Sequence, residues 1–168
     1  MIGDLSPTRR DLLLTPLLAA FLGKDAAAAV DPTMTIIRQA DQIAWEIGLD
    51  RPPRSVEYAY LYSKPSEPGP YFTLVRWYPG YMSAPHWYET DRYCMVVSGT
   101  WWVASGEIFE PEGCVPVPAG GFVHRVARTP HYDGVVKGGA EPAVIAIFGI
   151  GPIILHRTDP DKPSWRAL

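Results

Sequence analysis

Cysteine and charge are both scarce in this chain. Its two cysteines, Cys94 and Cys114, belong to no C-x-x-C pair, which removes zinc knuckles and thioredoxin-type redox motifs and allows one disulfide or none. Charged residues make up 20% of the sequence and nearly balance, for a formal net charge of −3. Such a balance gives no reason to expect nucleic acid or an anionic surface as partner. The apolar run Leu12 to Leu22 is shorter than the about 20 residues a membrane-spanning helix needs. Long 3.6-period stretches are missing too; only Thr35 to Ile47 reads as a short helix. No internal repeat, low-complexity tract, P-loop or dinucleotide fingerprint occurs, and the Gly-Gly and Gly-Ile-Gly-Pro segments read as turns.

What is abundant points to strands. The 168 residues suit one domain with a single core. Gly 15, Pro 18, six Trp and nine Tyr accompany a hydrophobic fraction of 47%, a composition of many turns between aromatic and β-branched segments. From Val56 onward the chain reads VEYAYLY, YFTLVRWY, RYCMVVSG, TWWVASG, CVPVPAGG, FVHRVAR, PHYDGVV, AVIAIFGIG and PIILHR, each bounded by turn residues. That spacing predicts an all-β sandwich or barrel. The tail RTDPDKPSWRAL is polar and is expected to lie over the surface.

Residues 1–29 have the order of an address. Arg9-Arg10 precede the apolar run, Pro16 inside that run disfavours a core helix, and Ala26 to Ala29 supply small residues suited to cleavage. The twin arginine followed by leucines resembles a Tat export signal. On this reading the mature domain is 30–168, the location is periplasmic or secreted, and no membrane partner remains after cleavage.

Two segments carry the candidate site. In PGYMSAPHWYETDRYCMVVSG, Gly80, His86, Tyr88, Arg92 and Gly99 stand at fixed intervals; in GGFVHRVARTPH, Gly120, Val126, Arg128 and His131 do the same. These intervals match the two motifs of the cupin superfamily: glycine, five residues, His-x-His, three residues, Glu, six residues, glycine; then glycine, five residues, Pro-x-Gly, two residues, His. Tyr88 replaces the second histidine, Arg92 the glutamate, and Val126 and Arg128 the Pro and Gly. A variant alignment would use His124 instead of His131, but the glycine spacing favours His131. HWYETDRY, VVSGTWWV and FGIGP also resemble a group of uncharacterised single-domain cupins. The resemblance covers about Val56 to Arg157 and implies a double-stranded β-helix, or jelly-roll barrel, with a short N-terminal helix. It implies a homodimer by edge pairing as well. It does not select a function, because cupins include dioxygenases, isomerases, lyases and non-catalytic binding proteins.

Period-2 alternation places His86 and Tyr88 on one strand face, and Arg92, Cys94 and Val96 on one face of the next. In a barrel that face is the interior, with Tyr60, Trp77 or Trp101 as apolar walls. One reading makes the pocket a site for a divalent Fe, Mn, Zn or Ni ion held by His86, His131 and Tyr88. Arg92 opposes it, since a +1 charge about 5 Å from a +2 ion costs roughly 7 kcal/mol at an effective dielectric of 20, unless Arg92 turns toward Glu89 or Asp91. A second reading needs no metal. Arg92 anchors a carboxylate, His86 or His131 acts as general base, and Tyr88 donates to a developing oxyanion, a set suited to isomerisation or elimination on a small organic acid or carbonyl compound. A third is a non-catalytic small-ligand binder. His124 and His156 read as structural, and Cys94 as a small buried apolar group.

Overall fold

The computed structural model describes residues 33–168, so the export signal expected at 1–29 lies outside the described residues. The chain divides into two units, Met1–Gln39 and Ala40–Leu168, and the second carries every strand described. In order these are β1 (Glu46–Ile47), β2 (Val56–Tyr62), β3 (Gly69–Trp77), β4 (Tyr81–Ser83), β5 (His86–Tyr88), β6 (Arg92–Ser98) and β7 (Thr100–Ser105). There follow β8 (Val115–Pro118), β9 (Phe122–Arg125), β10 (His131–Val135), β11 (Ala143–Gly151), β12 (Leu155–Arg157) and β13 (Trp165–Ala167). One sheet runs β1-β2-β3-β11-β6-β9; the other runs β12-β5-β10-β4-β13, with β7 against β10 and β8 against β7. All of these strand pairs are antiparallel.

Alternation along the strands decides which side chains enter the space between the sheets. On β6, Arg92, Cys94 and Val96 are buried while Tyr93, Met95 and Val97 stay exposed. On β3 the inward set is Tyr71, Thr73, Val75 and Trp77, and on β11 it includes Ala143, Ile145 and Ile147. With Val56, Trp101 and Val135 these form the main core. Each fully buried aliphatic side chain here stabilises the fold by about 1.5–3 kcal/mol. Ile145→Ala would cost about 2–5 kcal/mol, because the walls of a two-sheet core relax only in part. A smaller cluster of Met82, Cys114 and Tyr132 is covered by Trp102, Phe109 and Leu168.

Two turns show how the motif glycines act on the backbone. Gly99, between β6 and β7, has φ +70, and a Cβ there would stand 2.4 Å from the Pro142 carbonyl oxygen. Only glycine fits both requirements. Arg128 stands where the second motif has glycine, and it too adopts the left-handed region, with φ 60. Its amide donates to the Tyr88 carbonyl at 2.8 Å and its Nε donates to Glu89 at 3.0 Å. The turn geometry is thus kept without the residue that usually supplies it.

Two expectations need correction. The short helix expected over Thr35 to Ile47 is a single 3-10 turn at Ala40–Gln42, followed by β1 pairing with Glu57 and Tyr58. A helix this short is marginal unless a face is buried, and the 3-10 turn buries no residue; ladder bonds satisfy the backbone instead. The polar tail does not merely cover the surface. Trp165–Ala167 adds a strand to β4, and the Leu168 amide donates to the Gly80 carbonyl at 2.9 Å. Of the two states the sequence left open for the cysteines, the structure has the one without a disulfide: Cys94 and Cys114 are both free thiols, buried in different clusters.

Candidate functional site

The site begins with strand register. His131, the first residue of β10, pairs directly with His86, the first residue of β5, so two residues far apart in sequence share one position between the sheets. Their ring centroids are 4.5 Å apart. Tyr88, two residues on along β5, meets His86 edge to face at 5.1 Å. Arg92 enters from the other sheet, where β6 is flanked by β9 and β11.

Each imidazole is held by a carbonyl. His86 Nδ1 lies 2.7 Å from the Ala84 oxygen and His131 Nδ1 lies 2.8 Å from the Thr129 oxygen. A carbonyl only accepts, so Nδ1 carries the hydrogen in both rings and Nε2 keeps its lone pair. Burial keeps both rings neutral. It lowers the His86 pKa to about 4, with the Arg92 charge adding to the effect and Asp133 opposing it. His131 is pushed down to about 2, by burial first and then by His86, Arg125 and Arg92.

Arg92 uses one of those lone pairs. Its Nη2 donates to His131 Nε2 at 2.8 Å, and its guanidinium carbon sits 3.8 Å from the centre of the Tyr88 ring. The π-face of Tyr88 therefore serves first as a platform for the cation. Arg92 turns to neither acid close in sequence. Asp91 accepts from His124 and from the Ala127 amide, and Glu89 accepts from Arg128. The third acid in reach, Asp133, pairs with Arg125 at 3.2 Å. Among the described residues the interior thus holds two guanidinium groups, Arg92 and Arg125, against one carboxylate, Asp133. All three are buried.

Beside these groups is a cavity of about 70 Å³, lined by His86, Tyr88, Arg92, Asp133, Tyr58 and Trp101 among others. His131 is not part of that lining but touches two residues that are, Arg92 and His86. Arg92 Nε, Arg51 Nη1 and Trp101 Nε1 are buried with no hydrogen-bond partner among the described residues, and all three residues line the cavity. Trp77 and Trp101 are walls as expected, whereas Tyr58 takes the place expected of Tyr60. Burial raises the Tyr58 pKa to about 12 and that of the Cys94 thiol to about 11, so both stay protonated near neutral pH. His124 and His156 stay outside, stacked on Tyr93 and Trp87.

The donor set does not fit a divalent ion in this arrangement. His86 Nε2 is available, but His131 Nε2 already accepts from a cation, and the Tyr88 ring is stacked on that same cation. Among the described residues no three His, Cys, Asp or Glu side chains converge as a ligand group. Asp133, Arg125 and Arg51 were not anticipated from sequence. Asp133 had a signal, because it lies two residues beyond His131 on the same strand and so shares its face. Arg51 had none, because a loop brings it to the cavity.

The architecture is similar to that of several solved structures. The polyketide cyclase RemF from Streptomyces resistomycificus superposes with a TM-score of 0.63 at 14% identity, over 77% of this chain and 89% of that one. A sugar phosphate isomerase of the cupin superfamily from Silicibacter pomeroyi gives 0.53 at 21%, over 67% and 74%. An RmlC-like cupin from Ralstonia eutropha gives 0.54 at 17%, over 75% and 73%. The fold is the cupin barrel. No family model and no curated protein matches the chain. In this chain, β5 and β10 bring one histidine from each motif to the barrel interior, and β6 brings Arg92 to the position where the first motif has its acid.

Proposed function

We propose that this cupin binds a small organic anion, a carboxylate or an enolisable carbonyl compound, in the cavity beside Arg92, and moves a proton on it without a divalent metal. One observation carries the reading: Arg92 is a buried cation whose guanidinium, among the described residues, is hydrogen-bonded to a neutral imidazole and to no carboxylate. A buried charge without a counter-ion is costly, and an anionic ligand supplies what the protein does not. A planar carboxylate matches the guanidinium fork. Arg51 and Trp101 offer further N–H donors on the same cavity.

In the proposed chemistry His86 is the base. Among the described residues no donor bonds its Nε2 lone pair, and the Nδ1–H bond to Ala84 holds the tautomer and ring orientation. His86 accepts a proton from carbon beside the carbonyl, while Arg92 stabilises the negative charge that develops on oxygen. Return of the proton to a neighbouring carbon gives isomerisation, and loss of a leaving group gives elimination. A conjugate acid depressed to about 4 makes His86 a weak base; this observation favours the second reading, binding without turnover. A bound anion raises that pKa and so improves the base.

Two measurements separate the readings. Titration calorimetry with acetate, pyruvate and malonate should show binding that Arg92→Ala loses; equal binding by the variant removes the anion-site reading. Proton NMR in D₂O should show exchange of the pyruvate methyl hydrogens that His86→Asn abolishes. Binding without exchange assigns a carrier or sensor instead of an enzyme.

A further inference from the structure

The cavity beside Arg92 carries more positive charge than one carboxylate balances. Among the described residues three guanidinium groups line it: Arg92 from β6, Arg157 from β12, and Arg51 from the loop between β1 and β2. Asp133 is the one acid in that lining, and it is already paired with Arg125 at 3.2 Å. Arg157 donates to the Lys162 carbonyl. Arg51 Nη1 and Arg92 Nε, by contrast, are buried with no hydrogen-bond partner among the described residues. A buried cationic N–H that bonds nothing is costly, and two cations on one cavity repel unless an anion lies between them.

Local structure aims Arg51 at the cavity. It precedes Pro52-Pro53, and a residue before proline is held to extended backbone. On one side the Trp165 indole of β13 donates to the Asp50 carbonyl at 3.1 Å. On the other, the Ser55 hydroxyl donates to the Pro52 carbonyl at 2.6 Å, and Ser55 is fully buried. The loop is thus tied on both flanks, once to a strand of the opposite sheet. The Arg51 charge reaches Tyr58, where it opposes the rise that burial gives the phenol, and Tyr58 lines the same cavity.

We propose that the ligand is a short dicarboxylate, held with one carboxylate on Arg92 and the other on Arg51. This rests on the anion-site reading above and narrows it from any small anion to a two-ended dianion. A planar carboxylate suits each guanidinium fork. A monocarboxylate on Arg92 leaves Arg51 Nη1 unbonded and its charge unbalanced. Size limits the chain between the two ends. A volume of about 70 Å³ has room for roughly five to seven waters, which suits a backbone of three or four carbons and is too small for a sugar phosphate. Arg51 is therefore the residue that sets specificity, and it stands on a loop rather than on a barrel strand.

Titration calorimetry near neutral pH and at constant ionic strength tests the proposal with acetate, malonate, succinate and inorganic phosphate. The tighter of malonate and succinate should bind wild type at least about 30-fold more strongly than acetate, the size of a charge-assisted hydrogen-bonded contact. Arg51→Gln, with native circular dichroism, should cut that preference by at least about 10-fold. Arg54→Gln should keep it, because Arg54 lies further along the loop with its guanidinium 5.2 Å from the centre of the Tyr78 ring. Acetate bound as tightly as both dicarboxylates, and lost in Arg92→Ala, overturns the dicarboxylate assignment while the anion site stands. A preference that survives Arg51→Gln removes Arg51 from the site and overturns it as well. Phosphate bound as tightly as the better dicarboxylate shows that charge alone is read, and the two-point arrangement falls. Binding of none of the four ends the anion-site reading and this inference together.

Discussion

Arg92 Nη2 donates to His131 Nε2 at 2.8 Å. This bond joins the two motif segments through a cation, at the lone pair through which a histidine would ligate a metal. It explains why the histidine spacing can be retained while the donor set fails to fit a divalent ion. It also leaves a positive charge in the interior that no carboxylate of the described residues pairs with.

The bond gives a direct test by substitution. Arg92→Glu removes the cation, frees His131 Nε2 and adds a carboxylate, so His86, His131 and Glu form a conventional ligand set. The variant should bind Zn²⁺ or Ni²⁺ at least about 100-fold more tightly than wild type in equilibrium dialysis, roughly the effect of one or two good ligands. Equal affinity in the two proteins would show that the imidazoles do not converge on a common point.

Stability should depend on pH through the two buried imidazoles. Both have folded pKa values below the unfolded value of about 6.5, His86 at about 4 and His131 at about 2. Between these values the unfolded chain binds more protons than the folded one, so stability rises with pH. The contribution is complete above about pH 6.5 and is lost as pH falls toward 4. For His86 the loss is on the order of 3 kcal/mol. Urea midpoints measured from pH 7 to pH 4 should fall, and His86→Asn should flatten the curve. An unchanged slope in that variant would count against a neutral buried His86.

The Arg125–Asp133 pair, with side-chain exposures of 7% and 9%, is the counterweight to Arg92. Asp133→Ala leaves two buried guanidinium groups with no carboxylate and should cost about 3–5 kcal/mol. The double variant Arg125→Met with Asp133→Leu should cost less than Asp133→Ala alone, since it strands no charge. Thermal denaturation of both variants checks the order.

Glycine substitutions should separate backbone strain from crowding. Gly80 has φ +87 with nothing within 4 Å of a Cβ, whereas Gly99 combines φ +70 with the Pro142 oxygen at 2.4 Å. Gly80→Ala should cost about 1–2 kcal/mol, as a single left-handed alanine does. Gly99→Ala should cost more, because the oxygen belongs to the backbone and cannot swing away. Similar urea midpoints would show that the turn before β11 moves freely.

The thiols should be silent in the native state. Cys94 is 1% exposed with its pKa raised by burial to about 11, and both cysteines are free. Ellman's reagent should titrate both only after unfolding, and a reductant should leave the melting temperature unchanged. A drop in melting temperature with reductant would reveal a disulfide.

The sequence by itself determined the strands and the glycine turns. The runs at Val56–Tyr62 and Ala143–Gly151 have the same bounds in sequence and structure, because period-2 alternation and flanking turn residues are local signals. Local alternation also placed His86 with Tyr88 and Arg92 with Cys94. Short strands escaped it: β1 and β13 exist only because a partner strand supplies their hydrogen bonds. Tertiary structure alone decided what the site residues do. That Arg92 chooses His131 over Glu89 or Asp91 depends on which acids are already engaged, and Arg128 and His124 come to those two acids from distant parts of the chain. Charge pairing is a competition among groups that sequence separates and folding brings together, so only the folded chain shows which cation is left without an anion.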